Sequence, residues 1–240
     1  MNSILAFTCT HGSRRFMPRL AKSLRENAGV DFDWLVVRSG VDAEQETQIS
    51  SLRDEGVIQF VRGWTENRGQ HWAMREALDL ANDAGYDYLL RVDDDILLAS
   101  RDILATMLDR LQKMIELADD GKCHFIASPR VIGLRRPLKP QAQIYEEKRF
   151  PCELMPILGG AFRLHPMWLL RSYKPDIYAP IRRRDPESLG IHITRNGGLF
   201  IRFPDLRVVH NTDQLEAQDS PGDALLRRMN TGWCWLGEGV

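Results

Sequence analysis

Short apolar runs and helical stripes alternate along the first half of the chain. Residues 4–9 are apolar and lead into a polar turn, His11-Gly-Ser-Arg-Arg15, after which residues 18–27 carry Leu20 and Leu24 on one helical face. Trp34-Leu-Val-Val37 predicts a second strand ending at Ser39-Gly40, and residues 57–61 a third ending at Gly63. Residues 70–84 place Ala73, Ala77, Leu80, Ala81 and Ala84 on one stripe, with Gly85 as the helix stop. Residues 86–92 predict a fourth strand. Ser100 is expected to cap a helix lined by Ile103, Met107, Leu111, Met114 and Ile115.

Strand and helix in alternation predict the α/β class, a parallel sheet covered by helices. In such sheets ligands bind outside the carboxyl ends of the strands, so the polar ends near Thr10, Ser39 and Asp93–Asp95 should gather on one edge. The second half is less regular. Residues 125–128 read as a strand, and 129–156, rich in proline and charge, as a long loop. Ile157-Leu-Gly-Gly-Ala-Phe162 precedes a helix near 166–172; residues 198–202 and 207–210 read as two strands, and 211–240 as a polar tail with Trp233 and Trp235. The chain is read as one domain, with 1–100 and 101–210 as its halves.

Bulk properties narrow the picture little. The 240 residues are 43% hydrophobic and 27% charged with a net charge of −1, values of an ordinary globular protein. Cys9, Cys123, Cys152 and Cys234 form no C-x-x-C pair and are expected to be reduced, which fits a cytoplasmic setting. No stretch approaches the roughly 18 apolar residues of a membrane span. Charge is uneven, however. Between Arg130 and Arg184 stand 12 Lys and Arg against 4 Asp and Glu, leaving 20 against 29 elsewhere.

The chemistry concentrates in Tyr86-Asp-Tyr-Leu-Leu-Arg-Val-Asp-Asp-Asp-Ile-Leu-Leu98, where an apolar strand runs into three carboxylates. Aspartate is a poor strand former, so the triplet belongs where the strand leaves the sheet. A divalent cation such as Mg²⁺ or Mn²⁺ would relieve the mutual repulsion. If the backbone stays extended, Asp93 and Asp95 share one face and Asp94 points the other way. A calcium loop needs Gly at its sixth position and Glu at its twelfth; counted from Asp93 these are Leu98 and Leu104, which excludes it. Asn67-Arg68-Gly69 opens a helix, a setting in which backbone N–H groups can approach an anion.

Taken in order, these motifs resemble the family 2 type of GT-A glycosyltransferases from Ile4 to His210, about 85% of the chain. The match rests on the first strand around Thr10, Ser39-Gly40, Asn67-Arg68-Gly69, Asp93-Asp-Asp95, Gly159-Gly160-Ala-Phe-Arg163, an acidic element near Asp185, and Pro204-Asp-x-x-Val-Val-His210. The resemblance implies a GT-A sheet with a small acceptor-side sheet, a nucleotide-sugar donor (a UDP-sugar foremost), and Mn²⁺ or Mg²⁺. It implies that Thr10 and Ser39 line the base pocket and that Asn67, Gly69, Asp93 and Asp94 bind the nucleotide. Asp95, Asp93 and His210 would be the metal ligands, and Gly159 and Gly160 would border sugar and acceptor. Asp185 would be the catalytic base of an inverting transfer, with Glu187 in reserve. The family pattern has Asp where Ser39 stands and Glu where Arg184 stands. The basic stretch points to an anionic acceptor: a phosphoglycan, a polysaccharide or DNA with a hydroxylated base. Two other readings are a nucleotidyltransferase, and a degenerate GT-A domain that binds glycan or nucleic acid without turnover.

Overall fold

The computed structural model describes residues 2–12, 15–116, 120–133, 139–145, 150–177 and 186–210. Strand β1 (Ile4–Gly12) is buried on both faces, as a central parallel strand must be. Helix α1 (Met17–Asn27) starts with Pro18 in its first turn, where the missing N–H costs nothing, and buries Leu20, Ala21 and Leu24. Then come β2 (Asp33–Val41), α2 (Ala43–Asp54), β3 (Phe60–Trp64) and α3 (Gln70–Ala84). Helix α3 ends as its sequence indicates, on Gly85 in the left-handed region at φ 73°. Strand β4 (Tyr88–Val92) is wholly buried, and after the acidic turn comes the short β5 (Ile96–Leu98).

Helix α4 (Ile103–Ile115) is not capped by Ser100. Asp102 holds the N-cap position at φ 51°, and the Ser100 hydroxyl accepts the backbone N–H of Arg207 at 2.9 Å. The expected long loop at 129–156 is also corrected. Strand β6 (Phe125–Ile132) runs into it, and β7 (Ala142–Tyr145) and β8 (Pro151–Met155) pair antiparallel within it. Strand β9 (Phe162–Pro166), α5 (Met167–Leu170), α6 (Pro186–Arg195) and β10 (Leu199–His210) complete the described chain. The two expected late strands are one, β10, with a register shift between Phe203 and Arg207.

All strands join one sheet in the order β3-β2-β1-β4-β9-β6-β10-β8-β7, with β5 beside β10. Strands β3, β2, β1 and β4 are parallel. Strand β9 enters antiparallel between β4 and β6, and β10, β8 and β7 continue the sheet from β6. Side chains alternate across the sheet and divide the core in two. One face packs Ile4, Ala6, Trp34 and Leu90 with Leu20, Leu24, Ile103 and Met107; the other packs Leu5, Phe7, Leu35 and Leu89 with Ala73, Ala77, Leu189 and Ile193. The Cys123 thiol is buried and lies 3.5 Å from the Phe125 carbonyl oxygen; Cys234 lies outside the described residues. Burial pushes the Cys123 thiol up to about 11, which keeps it protonated. Among the described residues no helix is long and apolar enough to cross a membrane.

Candidate active site at the carboxyl edge

Because β1 to β4 run parallel, their carboxyl ends meet on one edge, and a polar network ties them together. Ser39, fully buried at the end of β2, accepts the backbone N–H groups of Arg68 at 2.8 Å and Gly69 at 3.1 Å. Its own hydroxyl donates to Asn67 Oδ1 at 3.1 Å, which also accepts the Gly69 N–H at 3.0 Å. Gly40 makes this closure possible: a Cβ there would lie 2.8 Å from the Asn67 nitrogen. The Ser39 hydroxyl therefore holds the loop that opens α3, while Asn67 itself is exposed.

The acidic triplet forms a turn, so the extended arrangement does not persist and each carboxylate goes its own way. Asp93 Oδ1 accepts from Arg91 at 3.1 and 3.2 Å, and the same guanidinium donates to Gln70 Oε1, the first residue of α3, at 2.8 Å. Asp94 is 2% exposed and accepts the Thr10 hydroxyl at 2.7 Å. Thr10 accepts in turn from Gln45 of α2. Asp95 is 4% exposed, with Oδ2 lying 3.3 Å from His210 Nε2 at the end of β10.

The glycine loop closes over this turn. The Asp93 N–H donates to Ala161 O at 2.8 Å, and a Cβ on Gly160 would lie 2.9 Å from the Arg91 guanidinium. Thr10, Ser39, Asn67, Gly69, Asp93, Asp94, Asp95, Gly160 and His210 thus converge on one edge, with Gly159 next in the loop. Of the three expected metal ligands, Asp95 and His210 adjoin while Asp93 is turned to Arg91; among the described residues no three His, Cys, Asp or Glu side chains form a ligand cluster. Asp185 and Arg184 lie outside the described residues, as do Trp233 and Trp235, and nothing is described of the Glu187 side chain. Sequence reading passed over Arg91, Gln70 and Gln45. Arg91 did leave a signal: it is a charged residue within an apolar strand, two positions before Asp93 and so on the same face.

No protein-family model matches the sequence, and no curated protein matches it. Solved structures do match, and they define the fold as that of the GT-A glycosyltransferases. GalNAc-T7, solved with UDP, GalNAc and Mn²⁺, aligns at a TM-score of 0.64 and 11% identity, over 87% of this chain and 44% of its own. The mannosyltransferase PcManGT from Pyrobaculum calidifontis, with GDP-Man and Mn²⁺, gives 0.62 and 15%, over 94% and 60%. Staphylococcus aureus TarS 1–349 with UDP-GlcNAc gives 0.61 and 14%, over 97% and 66%. The chain therefore spans less than two thirds of each of these three.

Proposed function

We propose that this chain transfers a sugar from a nucleotide-diphosphate sugar to an acceptor hydroxyl, with a divalent cation held by Asp95 and His210. The observation that carries the reading is the convergence of the acidic turn, the Ser39-held loop and Gly160 on the carboxyl edge of a GT-A sheet. The similar structures named above contain UDP, GDP-Man or UDP-GlcNAc, two of them with Mn²⁺. A carboxylate beside one imidazole suits Mn²⁺ better than Mg²⁺, which prefers carboxylate and water oxygens. When bound, the cation offsets charge on the departing diphosphate.

The chain's own residues have separable roles in this reading. Asn67, on the exposed loop, faces the nucleotide, and Arg91 fixes Asp93 against α3. Asp185 takes the acceptor proton as the new C1–O bond forms and the C1–O–phosphate bond breaks, a single displacement that inverts the anomeric centre. The excess of Lys and Arg between Arg130 and Arg184 favours an anionic acceptor such as a phosphoglycan.

Thermal unfolding with UDP, GDP and their sugars, each with and without Mn²⁺, tests the reading. A nucleotide at 100 times its Kd should stabilise the fold by about 2.7 kcal/mol, and the Mn²⁺-dependent part should vanish in Asp95→Asn. Asp185→Asn should bind donor normally and transfer nothing. If no nucleotide raises Tm with or without Mn²⁺, the reading fails.

A further inference from the structure

A tryptophan pair stands at the same edge and has no part in the reading above. Trp64 ends β3 as the register partner of Ser39, and Trp72 sits in the first turn of α3. Their ring centroids are 5.6 Å apart with the planes at 67°. The Arg68 guanidinium lies 5.2 Å from the centroid of Trp64 and 5.4 Å from that of Trp72, and pairs with the exposed Glu66 at 2.8 Å. Both rings are partly open to solvent, unlike Trp34, which is 1% exposed and donates its indole N–H to Thr8. Trp34 is core; Trp64 packs against the core from its rim, and Trp72, with Arg75 5.8 Å from its ring centroid, stays half-buried beside it.

The hydroxyls expected to line a base pocket are not on offer. Thr10 and Ser39 are both fully buried, and each is engaged within the protein. Recognition at this corner falls to what is exposed there: two indole faces, a guanidinium and a carboxylate. We propose that Trp64, Trp72 and Arg68 form the face on which the donor's base stacks, and that this face selects guanine over uracil. This rests on the nucleotide-sugar reading and departs from the uridine donor that the resemblance implies.

Three chemical matches carry the choice. Every base has a π-face for an indole; with the two indole planes at 67° a flat base stacks on one ring and meets the other edge-on, and a bicyclic purine offers more area to that pair of contacts than a pyrimidine does. The guanidinium fork fits the O6 and N7 acceptors of guanine. Guanine also presents N1–H and N2–H donors, which the Glu66 carboxylate can accept, whereas uracil has a single ring N–H on that side. Adenine offers an amino donor where guanine has O6 and so repels the guanidinium.

Titration calorimetry of the whole chain with GDP, UDP and ADP in Mn²⁺ tests this directly. GDP should bind at least about tenfold more tightly than UDP or ADP. Trp64→Leu and Trp72→Leu should each weaken GDP by about ten- to hundredfold and UDP by a smaller factor. Arg68→Ala, a surface change that leaves the tryptophans in place, should reduce the GDP to UDP ratio and serves if an indole variant misfolds. Equal affinities for GDP and UDP, or undiminished GDP binding by all three variants, would overturn the proposal while leaving the nucleotide-sugar reading intact. No binding of any nucleotide by the parent would remove both. An oligosaccharide whose affinity alone depends on the indoles would make this an acceptor surface and overturn the proposal too.

Discussion

Asp93, Asp94 and Asp95 are the same side chain on successive residues, and the fold gives them Arg91, Thr10 and His210 as neighbours. That the triplet matters was legible from three carboxylates at a strand end. Their separation was not, because Thr10 and His210 come from strands far away in sequence. Asp94 illustrates the consequence. A carboxylate at 2% exposure depends on its donors, so Thr10→Val should destabilise the fold by about 1–3 kcal/mol and Thr10→Ser by much less. Urea unfolding of the two variants would show it. His165 is the opposite case. It is fully buried on β9, and neither ring nitrogen has a hydrogen-bond partner among the described residues. Desolvation, with Arg163 and Arg91 nearby, holds its pKa well below the usual imidazole range. The folded state therefore keeps it neutral while the unfolded chain takes up a proton below pH about 6.5, so stability falls as pH drops through that range. His165→Leu should flatten the acid side of the profile, seen in urea midpoints at pH 7.5 and 5.0. An unchanged slope would mean that other groups set it.

The parallel strands and the helices α1 and α3 were legible because their apolar periodicity is strong. Helix α2 was not: it buries only Gln45, Ile49 and Leu52, and its clearest signal is the Asp42 cap accepting the Gln45 N–H at 2.9 Å. Strands β7 and β8 were hidden by the prolines and charges around them, a composition that reads as loop until pairing with β10 rescues it. Two glycines show how differently one substitution can act on an element. At Gly85 an added Cβ meets nothing within 4 Å, so Gly85→Ala carries only the left-handed backbone cost of about 1–2 kcal/mol. At Gly63 it would lie 2.0 Å from the Arg38 carbonyl oxygen on the neighbouring strand. Gly63→Ala must part β2 from β3, and because the Trp64 and Ser39 positions are set by that pairing it should damage nucleotide binding as well as Tm. Calorimetric melting of both variants, with nucleotide titration of the second, separates the two effects.

Across the protein, the sheet joins a parallel half that carries Ser39, the α3 loop and the acidic turn to a mixed half that brings His210 and the glycine loop to the same edge. Strand β9 is the joint. It pairs along all of β4, from Tyr88 with Pro166 to Val92 with Phe162, and touches β6 at a single register position. A chain stopped after residue 160 should therefore lose more than its later strands: β4 would keep β1 on one side and bare backbone on the other. Such a truncation should sediment as aggregate where the whole chain remains dispersed. The same joint sets a delay during synthesis. Val92 leaves the ribosome 70 residues before Phe162, which at about 5–20 residues per second leaves the edge of β4 uncovered for roughly 4–14 s. An apolar strand with open N–H and C=O groups is a template for other chains, so the interval between making β4 and making β9 is when this protein most needs a chaperone.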